Sequence, residues 1–368
     1  MTAADRLGRV RARDRYGYAA AILTGGLAVL AFLCAASGQG YPFGPNDPVD
    51  DMSLIRAVPA GVGAALLAGV LFVSMLIMLG MEGRRAARPG GAGRASMLAL
   101  GWAAVVVLLF VVPDIRLLAL VAYLPMLVVG APFGWPDVDY SSIVTAPMAW
   151  QGVSVSAGVL VAIRMVRWQR GSRGACVACG RVHSRAGSSS RAATVGRWAT
   201  GVAVAVPLLF AATRYAWMAG VPLGISDAAM RHLLDTDGRW RGGALATFAV
   251  IGAGLTLGLV QHWGEVFPRW VFRIGGRRVP ARLAVIPAMV VAVLIMSAGL
   301  GLLSNTDILF GELGAQPWLV GIHALWPIWA IALGVAAYAY YLRRRGRCAT
   351  CGSGDDELKR DDRRRDCA

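Results

Sequence analysis

The chemistry this sequence offers is concentrated in two short cysteine runs. Cys176 and Cys179 are followed by Gly180, and Cys348 and Cys351 by Gly352. A Cys-x-x-Cys turn places two sulfurs on one side of a tight loop, and the glycine lets the backbone reverse behind them. This is the shape of a zinc knuckle, which supplies two of the four ligands of a closed tetrahedral Zn²⁺ site. One knuckle is half a site, and this chain has a pair. Cys176, Cys179, Cys348 and Cys351 can therefore form one zinc site, with His183 as a replacement ligand or a supporting hydrogen-bond partner. Two other readings stay open. One is a pair of dithiols cycling with disulfides, although the βαβ setting that makes such a motif persuasive is missing. The other is unpaired thiols in flexible loops. Cys34 sits inside an apolar run and reads as a small buried residue; Cys367, in the tail, carries no signal.

Three charged residues form a second candidate group. Arg214 lies in Ala-Thr-Arg-Tyr-Ala-Trp, about five residues from the end of an apolar segment. A mid-membrane arginine costs roughly 2.5–3.5 kcal/mol on insertion scales, and less near the interface. Arg214 therefore either snorkels to the outer headgroups or pairs within the bundle with an outer-loop acid, Asp227 or Asp47. Those two aspartates also read as N-caps of short outer helices, since Pro48 follows the first and Ala-Ala-Met-Arg-His-Leu-Leu the second. Glu82 and Glu265 sit beside arginines at helix ends and read as salt-bridge partners. His262 and His323 read as hydrogen-bonded structural histidines.

The elements that must position these residues are membrane helices. Hydrophobic residues make up 57% of the chain and charged residues 16%, where a soluble domain carries about 25% charged. The apolar residues fall in blocks near the roughly 20-residue length that spans a bilayer core. Spans are expected at 18–38, 57–80, 96–114, 143–166, 198–219, 243–264, 281–303 and 319–342. The first is too long for a signal-peptide core and is followed by more spans, so it reads as a retained helix. Tryptophans such as Trp198, Trp217 and Trp318 fall near the expected helix ends, as an aromatic belt requires.

The net charge of +16 does not indicate nucleic-acid binding. The arginines lie between apolar segments and at the chain ends, as topology signals and contacts for anionic headgroups do. Arginine-rich connections at 1–17, 81–95, 167–197, 265–280 and the tail place these segments, and both chain ends, in the cytoplasm of a plasma-membrane protein. An even number of crossings must then separate residue 95 from residue 167. The additional apolar stretch 115–131, with Pro113, Asp114 and Arg116 at its start and Pro125 in its middle, is therefore expected to be re-entrant or interfacial rather than a ninth span.

Two markers recur in the same order. Pro-x-Gly-x-x-Asp occurs at Pro42, Gly44 and Asp47 and again at Pro222, Gly224 and Asp227. The knuckles recur at nearly the same offset along the chain. Such pairing argues for internal duplication. The expected fold is all-α: a polytopic bundle of two pseudo-symmetric four-helix repeats related by an axis along the membrane normal. The first repeat covers 18–183 and the second 198–352, joined by a 184–197 linker. A basic 1–17 segment precedes them, and a charged 353–368 tail without apolar periodicity reads as disordered.

No nucleophile elbow, P-loop, dinucleotide fingerprint or His-Glu-x-x-His appears, so the chain reads as non-enzymatic. The first functional reading is a membrane sensor or scaffold whose zinc site joins the repeats. The alternative is a small-solute transporter with a site at the repeat interface, hinted at only by Pro207 and Pro287.

Four stretches carry a resemblance: 212–226 (Ala-Thr-Arg-Tyr-Ala-Trp through Pro-Leu-Gly-Ile-Ser), Gln-His-Trp-Gly-Glu-Val-Phe-Pro-Arg-Trp at 261–270, Gly-Arg-Arg-Val-Pro at 276–280, and the closing Cys-Ala-Thr-Cys-Gly. They resemble a family of uncharacterised multi-pass membrane proteins of actinobacteria, specifically over roughly 195–352. The resemblance implies membrane location and lineage, and no mechanism.

Overall fold

A computed structural model of the chain describes residues 15–47, 53–81, 91–133, 145–181, 189–236, 238–267, 269, 275–305, 310, 315–346 and 348–352. The described residues are helical apart from turns and one isolated antiparallel bridge, Val266 with Arg278. Among the described residues, eight helices are long and apolar enough to cross a membrane, and the protein is a multi-pass membrane protein. Cys367, His183, Glu82 and the charged tail lie outside the described residues.

The chain divides into two compact units. The described residues of the first come from 15–113, 145–181 and 348–352, and those of the second from 114–133 and 189–346.

The first unit holds α1 (Arg15–Ser37), α2 (Ala60–Gly80), α3 (Gly91–Val106) and, after α4 (Ile115–Gly130) of the other unit, α5 (Ala146–Ser172). α1 packs most extensively on α2, and α5 packs on both α1 and α3. The α2 face that is buried reads Gly63, Ala64, Leu67, Ala68, Leu71, Ser74, Ile77 and Met78, a stripe at helical spacing. Small residues admit neighbours where lipid supplies no hydrophobic drive between helices. A side chain added at Gly158 would come within 2.6 Å of Leu109, and one at Gly101 within 2.5 Å of Met165. Large apolar side chains on other faces, such as Ile22, Phe32 and Leu66, point outward, as lipid-facing positions do. α3 ends in a π-helical turn, Val107–Val111.

The second unit holds α4 (Ile115–Gly130), α6 (Ser189–Met218), α7 (Asp227–Asp235), α8 (Gly238–Leu257), α9 (Ala281–Ser304), α10 (Pro317–Ala324) and α11 (Trp326–Arg344). α6 packs on α8 and on α11, and α11 packs on α9. Their shared core includes Phe210, Ile295, Trp326, Leu333 and Tyr340. α10 and α11 together make one apolar span, Pro317–Arg344. α4 packs on α9. Its 16 residues reach about 24 Å at 1.5 Å per residue, less than a bilayer core of about 30 Å. The Asp114 carboxylate accepts from the Arg116 N–H at 2.9 Å and from its guanidinium at 2.5 Å, which caps the start of α4.

Helix bounds differ from the hydropathy windows in two instructive places. α6 begins at Ser189, inside the segment expected as a linker, because Ala, Arg and Thr residues there extend the helix in register with the apolar run. α8 ends at Leu257, short of the expected 264. Beyond it, three backbone carbonyls are held by side chains of α11. The Tyr340 hydroxyl donates to Gly264 O at 2.8 Å, Arg344 donates to Glu265 O at 3.0 Å, and Arg343 donates to Leu259 O. Glu265 also faces Arg343 and Arg344 at 3.7 Å each. Its partners are thus on α11 rather than in the adjoining loop. α6 and α9 run unbroken through Pro207 and Pro287.

Candidate metal centre

The first knuckle starts four residues after α5 ends at Ser172, and the second starts four residues after α11 ends at Arg344. Both close in the same way. Gly180 N–H donates to Cys176 O at 2.7 Å, and Gly352 N–H donates to Cys348 O at 2.8 Å. Both glycines have φ of +72°, the left-handed region that glycine enters without a Cβ penalty. Arg170, on the last turn of α5, donates to Ala178 O at 3.0 Å and holds the first loop against its helix.

Residues 348–352 fold into the first unit, so the second knuckle meets the first within it. The four sulfurs all lie within 4.8 Å of one another. Cys176 Sγ is 3.9 Å from Cys348 Sγ, and Cys179 Sγ is 3.6 Å from Cys351 Sγ. A regular tetrahedron with Zn–S bonds of about 2.3 Å has sulfur–sulfur edges of about 3.8 Å. A disulfide needs about 2.05 Å, and the described cysteines are all free thiols. The arrangement fits one soft, tetrahedral cation. A four-sulfur shell leaves no open position, which is the mark of a structural rather than a catalytic centre.

The surroundings prepare the sulfurs unequally. Burial pushes the Cys179 thiol up to about 12, reinforced by the neighbouring sulfurs and partly offset by the Arg181 N–H. Burial also acts on Cys348, but the N–H groups of Cys351 and Thr350 aimed at its sulfur outweigh it, and that thiol is lowered. Backbone N–H donors to sulfur stabilise the thiolate that a metal needs.

Arg214 Nη2 lies 3.3 Å from His323 Nε2, and no ion pair among the described residues links it to Asp227. Asp227 is the first residue of α7 rather than its cap. Ser226 is the cap, accepting from Ala229 N at 3.2 Å. The serine is favoured because its shorter hydroxyl reaches back to that N–H, while Asp227 adds negative charge to the first turn. Asp47 is buried in the first unit, and the helix it was expected to cap, from Pro48 onward, lies outside the described residues. Asp47 follows the 3-10 turn Gly44–Asn46, to which its N–H donates. His323 is the buried, hydrogen-bonded histidine expected, with Nδ1 2.8 Å from Leu319 O.

Sequence reasoning missed the Arg214–His323 contact and the Arg343 and Arg344 clamp. One signal was available. Gln151 stands as far before Cys176 as His323 stands before Cys348, and both are buried polar side chains. No protein-family model, curated protein or solved structure matches the chain.

Proposed function

We propose that this is a non-enzymatic plasma-membrane protein in which one Zn²⁺, held by Cys176, Cys179, Cys348 and Cys351, cross-links the two halves of the chain as a structural staple for a sensor or scaffold. The convergence of four sulfurs within 4.8 Å carries the reading. The ion would supply cross-linking alone, with no coordination position left for substrate. A staple suits this chain because its ligands are 172 residues apart, so binding removes a large share of the freedom of the unfolded chain.

Duplication accounts for the two ligand pairs. Several features support it: the same closing turn in each knuckle, a left-handed glycine in each Pro-x-Gly-x-x-Asp, a buried polar residue at the same distance before each knuckle, and three matching helix pairings, α1–α2 with α6–α8, α1–α5 with α6–α11 and α3–α5 with α9–α11. In that pairing α1, α2, α3 and α5 correspond to α6, α8, α9 and the α10–α11 span.

The test is a zinc titration of the purified chain against a chromogenic competitor at several pH values. One ion per chain is expected; two would mean separate or intermolecular sites, and none would return the cysteines to plain thiols. Binding displaces protons, so affinity should fall as pH falls. With Cys179 held near 12, at least one proton leaves across the neutral range. Kd should then rise by at least about tenfold per unit of pH drop from 8 to 6. A flat profile would contradict thiolate ligation.

The arginine pattern supports cytoplasmic knuckles and chain ends. In intact cells, an impermeant thiol reagent should label Trp135→Cys and leave Ser190→Cys and the native cysteines untouched. Labelling of Ser190→Cys from outside would reverse the orientation.

A further inference from the structure

Arg214 is a cation inside the span Ala192–Met218. Its guanidinium is held between two rings, Cζ lying 4.1 Å from the Trp217 centroid and 4.8 Å from that of Phe210. Its described polar contact is His323, a side chain 2% exposed. With Nδ1 donating to Leu319 O, the neutral ring offers Nε2 as the acceptor for Arg214. It supplies a lone pair and no negative charge. No carboxylate among the described residues pairs with Arg214.

The neighbourhood is rich in donors and poor in acceptors. Trp326 stacks beside both Phe210 and His323, and Trp329 follows it at 6.5 Å. The indole N–H groups of Trp326 and Trp329 are buried without acceptors. Arg214 as a residue is half-buried. Snorkelling alone does not describe this arrangement, because the guanidinium is fixed between rings and bonded to a buried histidine. Among the described residues the cluster holds no acceptor-only group of negative charge, and a planar guanidinium presents paired N–H donors to carboxylate or phosphate oxygens.

We propose that the second unit binds an oxyanion, a carboxylate or phosphate group, at Arg214, with Phe210 and Trp217 flanking it. The group can come from a free solute or from a lipid headgroup, and the two sources are separable. The full chain is purified in neutral detergent. One arm adds sodium acetate at constant ionic strength against sodium chloride; the other adds short-chain phosphatidylglycerol. Tryptophan fluorescence and thermal melting are followed in each. A saturable change in wild type that is absent from Arg214→Gln supports the site, and the responding arm names the source. Arg214→Lys keeps the charge but not the fork and should bind at least tenfold more weakly, which decides the matter if Arg214→Gln does not fold. No saturable response of wild type in either arm, an equal response in Arg214→Gln, or an undiminished affinity in Arg214→Lys overturns the proposal.

Discussion

Replacing a single knuckle cysteine, Cys348→Ser, is expected to remove tight zinc binding and to lower the melting temperature of the chain. The four ligands form one shell, so a loss anywhere in it is felt by the whole site. Structural zinc contributes an apparent 10–16 kcal/mol of binding free energy near neutral pH, and because the ligands act as one shell a single loss should weaken binding by far more than about 100-fold, the even share of one ligand in four. Cys176→Ser should do the same, because Cys176 faces Cys348 across the cluster at 3.9 Å. The double variant should cost little more than either single one. A chelator should lower the melting temperature of the wild-type protein and leave either variant unmoved. Calorimetric or spectroscopic melting with and without chelator checks this. Additive losses in the double variant would mean that the knuckles act separately.

Gly44→Ala is expected to destabilise the first unit severely. Gly44 adopts φ +64°, and a Cβ there would stand 2.5 Å from the carbonyl oxygen of Val58. Backbone strain of about 1–3 kcal/mol adds to overpacking of similar size, so the loss is roughly 2–6 kcal/mol. Gly224 adopts φ +78° and would meet Trp318 at 2.5 Å instead. A ring can move where a carbonyl cannot, so Gly224→Ala should be the milder change. Melting of the two variants side by side reads the difference. Equal, small shifts would mean that the Pro-x-Gly-x-x-Asp turns are not held as described.

The repeated glycine of these turns was visible in the sequence as a motif, but its cause, a left-handed residue pressed against a neighbour, needed coordinates. The eight apolar spans were legible because hydropathy over roughly 20 residues is a strong, local signal. The start of α6 at Ser189 was not, because Ser, Arg and Thr outside the bilayer can be helix or linker with equal hydropathy. The end of α8 at Leu257 was hidden for another reason. The segment that follows it is bonded to Tyr340, Arg343 and Arg344, which lie on α11, far further along the chain. The knuckles were legible as ligand pairs from spacing alone, yet their convergence rests on residues 348–352 folding into the first unit. For Arg214 the sequence left the outer headgroups, Asp227 and Asp47 open as partners; its described contacts are a neutral histidine and aromatic faces brought in from other parts of the unit, which charge counting along the chain does not reveal.

The central claim is that four sulfurs from two distant turns hold one ion. Zinc K-edge X-ray absorption on the purified chain loaded with one equivalent counts those ligands directly. The account predicts a single shell of four sulfurs at about 2.3 Å. A shell containing two sulfurs completed by oxygen or nitrogen would contradict it.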